Sequence, residues 1–417
     1  MSTPSIRAPN PAGPRTCPPF TFFFLHLCTA WPVGVIGLAL SSSLVSAGVP
    51  VQRVGEILAA VWLAFTLEFV WAPMVDSSLT RRRWFAVGTA VMCGCLVALL
   101  VAPWRATAVP LLTLLAFCAS SGAAAAAVSV KGIMAHEVPA ARLSSASGYY
   151  TAGGTVAKAV AGAGTLWLLT HLSSRLVTAA ISAGTAAVFG SAIVLASAGR
   201  PLPWRSVPAA LVSALGDLWR FIRSPNGALT AVMCVIPFGA GTEAGLIGAI
   251  AREWAVTPDQ LATFGALAAV GTTAGAALGG WLSMRFGSWN AYLALGWSMI
   301  VLILGFAWSP RTAVWFMTVE LVYRAIATAS YATLLGIVMK AIGKGAASTK
   351  AATLWSLANL AFAYPTLIEG RVHDHAGTVA MLVTDAGLGI AGFGVLLAAA
   401  GLLKPRAGAQ PVAVETA

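Results

Sequence analysis

Charge is what this sequence has least of. Only 9% of its 417 residues are Asp, Glu, Lys or Arg, against about a quarter in a soluble globular domain. So few charges cannot dress a water-facing surface of ordinary size, which excludes a soluble fold and predicts a membrane protein. Metal and redox motifs are missing too. The six cysteines, Cys17, Cys28, Cys93, Cys95, Cys118 and Cys234, show no CxxC or zinc-type spacing and read as small core residues. There is no HExxH and no GxSxG, and the acids inside apolar runs are scattered, which argues against a membrane-embedded enzyme. No Walker phosphate loop appears, which argues against an ATP-driven pump. The chain is expected to need neither cofactor nor metal.

Apolar residues are abundant instead: 58% of the chain, with a mean hydropathy of +0.84. A spanning helix takes roughly 20 mostly apolar residues. Windows of that kind fall at 20–43, 54–75, 84–102, 109–130, 143–169 and 176–197, then at 227–250, 261–284, 290–308, 312–339, 351–368 and 378–403. They predict an all-α membrane protein of twelve transmembrane helices in two six-helix halves. The expected divisions are a tail over 1–19, a first bundle over 20–198, a basic central loop over 199–226, a second bundle over 227–403 and a tail over 404–417. The first apolar run exceeds a signal-peptide core and is followed by no clean cleavage site, so it reads as an uncleaved span.

The net charge of +12 would point to nucleic acid in a soluble protein. Here the cations sit in short loops between apolar runs, so no nucleic-acid partner is expected. One set of loops and tails holds most of them, including Arg7, Arg15, Arg81–Arg83, Lys131, Arg142, Arg285, Lys340 and Lys404. The alternate loops hold only Arg53, Arg105, Arg175, Arg252, Arg311 and Arg371. The positive-inside rule then places both termini in the cytoplasm.

The stretch TLEFVWAPMVDSSLTRRRWFAVG (66–88) shows the pattern at its densest: an apolar run carrying Glu68, a break near Pro73 and Asp76, then Arg81, Arg82 and Arg83. The halves repeat weakly. GGWLSMRFG (279–287) with Arg285 follows the second span of the second half, and Lys131…Arg142 is matched by Lys340…Lys350. Two such halves in parallel orientation are the arrangement of the major facilitator superfamily, whose binding site lies near midplane between them. Glycine runs over 153–164 and 271–280 suit close helix contacts.

Within that superfamily the chain resembles the AmpG-type permeases of the peptide and acetyl-CoA transporter group. FVWAPMVDSSLTRRRW is similar to their pattern of aromatic, Trp-x-Pro, hydrophobic pair, Asp and basic cluster. GYYTAGGTVAKAVAGAG (148–164) resembles their fifth helix, and Glu320 through AATLWSLANLAFAYPTLIEG their tenth and eleventh. Two positions depart from it: SSGAAAAAVSVKG (120–132) stands where acidic residues are usual, and Tyr150 where an arginine follows Gly-Tyr. The resemblance implies import of a muropeptide-like or other amphiphilic organic anion through the bacterial inner membrane by alternating access; a monomer is expected, and the buried carboxyls predict the proton as coupling ion, with sodium as the alternative. Siderophore permeases of the rhizobactin and pyochelin type are the alternative substrate class, and a transport-dead membrane sensor is the alternative role. The resemblance also implies that Asp76 with Arg81, Arg82 and Arg83 forms a gating motif that latches helices; topogenic charge is the other reading.

Ionisable residues inside spans cost roughly 2.5–3.5 kcal/mol each at midplane, so each needs a reason. Glu320 and Arg324 are four apart on one helix and share a face, so they pair; Arg324 either binds an anionic substrate group or locks the bundle. Lys158, among glycines and alanines, meets a substrate anion, snorkels or pairs with Glu68. Glu243, in FGAGTEAGL, serves either substrate or helix packing. Glu68 suits proton exchange or a structural hydrogen bond, and His26 a proton shuttle or a satisfied polar position. Asp385 reads as structural. Tyr149, Tyr150, Tyr323, Tyr331, Trp355 and Tyr364 are candidate aromatic walls. Glu369, His373, Asp374 and His375 read as a solvated loop cluster, with metal ligation as the alternative. The expected ligands are a small molecule, the lipid bilayer and the proton as coupling ion.

Overall fold

The computed structural model describes residues 17–77, 79–196, 212, 216, 218–238, 245–342 and 347–403. Among these residues every regular element is helical, because a backbone in lipid must satisfy its own hydrogen bonds. Seven helical stretches are individually long and apolar enough to cross a membrane, and a bent pair at the start of the chain makes an eighth. Grouped at their breaks, the described residues form twelve rods, besides a short helical stretch over 218–223.

The first rod, α1 (21–46), bends by 46° after Thr29 and continues through a π turn at Val35–Leu40. The second, α2, is two pieces, Val51–Thr66 and Glu68–Ser77, parted at Leu67. Then come α3 (Arg81–Val101), α4 (Val109–Glu137), α5 (Ala140–His171) and α6 (Arg175–Gly190). In the second half, α7 is Pro225–Val235 followed, after an interruption, by Ile247–Ile250. It is succeeded by α8 (Pro258–Phe286), α9 (Ser288–Ala307) and α10 (Ala313–Ile342). The helix Ala347–Leu403 breaks at Gly377 (φ 78°, ψ 178°) into α11 (347–376) and α12 (378–403). Most expected windows coincide with these rods. The fourth does not end at 130: α4 continues through Lys131 to Glu137. The seventh, expected to be continuous over 227–250, is broken.

Local chemistry sets the starts. Thr80, Ser174 and Ser224 each accept a hydrogen bond from the backbone N–H three residues on. Thr257 and Gln260 form a capping box at α8, with Pro258 in its first turn. Between α8 and α9 the chain turns on Gly287 at φ 82°, a backbone state that suits glycine.

The turns after α1, α3, α5, α7, α9 and α11, with the helix ends beside them, lie on one side and carry the six isolated arginines; this is called the sparse face. The opposite side, with Arg81–Arg83, Arg142, Arg285 and Lys340, is called the basic face.

Rods pack through small residues, since lipid offers no hydrophobic drive to bring them together. A Cβ at Gly88 of α3 would lie 2.5 Å from the Gly122 carbonyl of α4, and one at Gly279 of α8 would lie 2.5 Å from the Ala329 carbonyl of α10. The halves meet along three seams: α2 with α11, α5 with α8, and α1 with α7.

Candidate functional site

The polar groups that the fold draws inward come from both halves. On the first, α2 breaks at Leu67 and Glu68 opens its second piece, some 26 Å along the helix from Val51. Glu68 is buried, and its Oε1 accepts a short hydrogen bond from the Lys131 ammonium of α4. The partner of Glu68 is therefore Lys131. The sequence had placed this lysine among the loop cations, because a hydropathy window stops at a charge. Within α4 that charge is neutralised by Glu68, so the helix runs on for six more residues. The pair is asymmetric: 38% of the Lys131 side chain is accessible, against 8% of the Glu68 side chain.

Tyr150 of α5 stands beside this pair. Its ring stacks on His26 of α1 at 3.6 Å, and its backbone oxygen lies 2.6 Å from His26 Nδ1. Gly154 makes this possible, because a Cβ there would overlap the imidazole. His26 is thus packed into the first half and held by α5.

On the second half, Arg324 Nε donates to Glu320 Oε1 at 2.7 Å, four residues apart on α10 as the spacing predicts. Both are largely buried, with 22% and 10% of their side chains accessible. Arg324 lies about 17 Å along α10 from Ala313, near mid-membrane. Tyr331, seven residues on, shares its face; its ring meets Trp355 of α11 at 5.3 Å.

A second aromatic contact crosses the seam directly: Trp62 of α2 stacks on Phe362 of α11 at 4.4 Å. The Lys158 ammonium of α5 sits 5.6 Å from the Trp62 ring centroid. Each half therefore contributes one cation–carboxylate pair, joined by a lysine over an indole on the first half and by two aromatic pairs.

The remaining candidates are distributed as follows. Tyr149 is 44% exposed. Tyr323 is buried, and the Tyr364 hydroxyl donates to the Val235 carbonyl, joining α11 to α7. Glu243 lies outside the described residues, as does the side chain of Asp76. Arg81 lies across Gly132, where a Cβ would be 2.7 Å from its Nε, and the Arg83 N–H is capped by Thr80. Arg82 starts α3 beside them. Glu369 and Asp385 are fully buried, eight residues before and after Gly377. His373 and Asp374 lie in a hydrogen-bonded network on the sparse face with Glu253 and Gln52. Among the described residues no group of three or more His, Cys, Asp or Glu is disposed to hold a metal ion.

The model of the Major Facilitator Superfamily matches residues 22–364. The chain belongs to this superfamily. It is a multi-pass membrane transporter and not an enzyme. No curated protein matched the sequence. Solved structures share the fold at low identity. The nucleoside transporter NupG superposes with a TM-score of 0.68 at 12% identity, covering 91% of this chain and 98% of that one. A peptide transporter POT in complex with sulfate gives 0.69 at 14%, covering 92% and 94%. A D-xylose-proton symporter gives 0.71 at 12%, covering 93% and 96%. The arrangement of the superfamily puts the binding site between the two halves.

Proposed function

We propose that this transporter carries a muropeptide-like or other amphiphilic organic anion into the bacterial cytoplasm, driven by protons, with the basic face cytoplasmic. The observation that carries the reading is the pairing of Glu68 with Lys131 on one half and of Glu320 with Arg324 on the other. The AmpG-like stretches at 69–84 and 148–164 support the substrate class. Arg81–Arg83 and the arginine-poor opposite loops support the orientation.

The pairs supply a route to coupling. A substrate carboxylate that reaches Lys131 competes with Glu68 for the ammonium. A carboxylate left without its cation inside the membrane is costly, so Glu68 is released only by taking up a proton. Anion and proton then bind together and leave together. On the other half Arg324 holds a second anionic or carbonyl group while Glu320 keeps the guanidinium neutralised when the site is empty. The Trp62–Phe362 and Tyr331–Trp355 pairs face sugar or apolar parts of the cargo.

Uptake into proteoliposomes tests this, offering a radiolabelled anhydro-muropeptide and a ferric siderophore in parallel, with and without an inward proton gradient. Gradient-dependent muropeptide uptake that disappears in Arg324→Ala is the expected result. Siderophore uptake instead would keep the mechanism and change the cargo. Uptake of neither would leave a sensor or a transporter of another compound.

A further inference from the structure

The two halves are joined at the sparse face by an unusual helix cap. The first piece of α2 starts after Pro50, and no side chain of its own half caps it. A helix start leaves backbone N–H groups without intrahelical partners. The Gln52 N–H, in the first turn, donates at 3.1 Å to Oδ2 of Asp374, 322 residues away at the end of α11. An aspartate of the second half therefore does for a helix of the first half what an N-cap residue ordinarily does from within.

Asp374 is held for this task. Its Oδ1 faces His373 Nδ1 at 3.1 Å, and His373 Nε2 faces Glu253 Oε1 at 3.0 Å. Glu253 also accepts a short hydrogen bond from Thr378 at the start of α12. The imidazole spans two carboxylates and fixes the direction of Asp374 from behind. Gly370 and Gly55 let the two helices close on each other: a Cβ at Gly370 would be 3.1 Å from Gln52 Cα, and one at Gly55 would be 2.8 Å from the Thr366 carbonyl. The seam on the other side has a smaller counterpart. Thr170, at the end of α5, donates to Asp259 in the first turn of α8 at 3.1 Å.

We propose that Asp374 is the latch of the sparse-face gate, a positioning residue whose cap on α2 must break before the halves can part on that side. The word gate rests on the alternating-access reading, but the test reads conformation without any cargo, so failure of the latch is told apart from failure of the substrate assignment.

The experiment is peptide-resolved hydrogen exchange on the full-length transporter in nanodiscs. Gln52→Pro deletes the donor at a position in the first helical turn where proline is tolerated. Asp374→Ala deletes the acceptor, and Asp374→Asn keeps an acceptor. Loss of one hydrogen bond to a charged group predicts that exchange rises about tenfold to a hundredfold in Gln52→Pro and in Asp374→Ala. The rise should cover 51–62 and 362–374, and also the distant seam at 163–172 and 257–265, with no further rise in the double variant. Asp374→Asn should stay near the parent. A rise confined to 51–55 would reduce Asp374 to a local cap and overturn the latch. Wild-type exchange in Gln52→Pro would overturn it as well.

Discussion

Replacing Lys131 with methionine isolates the energetics of the central pair. Removing one partner of a fully buried ion pair costs about 3–5 kcal/mol, because the other charge stays behind without its counter-ion. Here the carboxylate end is 8% accessible and the ammonium end 38%. Water therefore screens one end, and the expected loss for Lys131→Met falls to about 2–3 kcal/mol. Glu68→Gln leaves a lysine that can extend into accessible space, so its loss is expected to be about 1 kcal/mol. The double variant removes both charges and should return to within about 1 kcal/mol of the parent. The resulting coupling energy is about 3 kcal/mol. Unfolding by sodium dodecyl sulfate in mixed micelles, followed through the 15 tryptophans, measures all four proteins. Additive losses in the double variant would refute a coupled, desolvated pair, and the proton-exchange mechanism built on it would fall too. If stability returns but uptake does not, the pair is needed for function beyond its structural cost.

Three further outcomes are expected. Arg324→Ala should abolish cargo uptake while Glu68→Gln, which keeps the shape but cannot exchange a proton, should retain cargo binding in a filter assay but lose gradient dependence. Gly88→Leu drives a side chain into the Gly122 carbonyl 2.5 Å from its Cβ, so it should cost about 3 kcal/mol. Gly94→Ala, with nothing within 4 Å, should be neutral or slightly stabilising; fluorescence-detected size exclusion after heating separates the two. Glu253 lies in the turn between α7 and α8, outside the spans. Burial raises its carboxyl, but hydrogen bonds from His373 and Thr378 outweigh burial and hold it below the usual range. A depressed acid stabilises above its unfolded pKa and loses that contribution as pH falls through the folded one. The Tm gap between the parent and Glu253→Gln should therefore be full at pH 7 and close below about pH 4.

Some of the site could be read directly from residue order. Glu320 and Arg324 share one helix, and helical spacing alone brings them together. Lys131 was read as a loop cation because its neutralising partner is 63 residues away on another helix, and no local window reports it. A possible signal was the apolar sequence on both sides of Lys131, Ala123–Val130 before it and Ile133 after it. The stacking of His26 on Tyr150 was hidden for the same reason, although Gly153 and Gly154 marked a close approach. The cluster at 369–375 looked like a solvated loop. Its Asp374 is instead engaged with the first half, through a backbone N–H that carries no sequence signature at all.

Composition and hydropathy were enough to determine a membrane protein, twelve helices and the alternation of charge between loops, because insertion energies depend on each segment by itself. The glycine runs also announced tight packing in advance. Tertiary structure alone decided which buried charge meets which, where the seventh span breaks, and which backbone N–H Asp374 meets. Those outcomes depend on distances between residues tens to hundreds apart in the chain. Inside a membrane, where an uncompensated charge is so costly, these long-range pairings define the site.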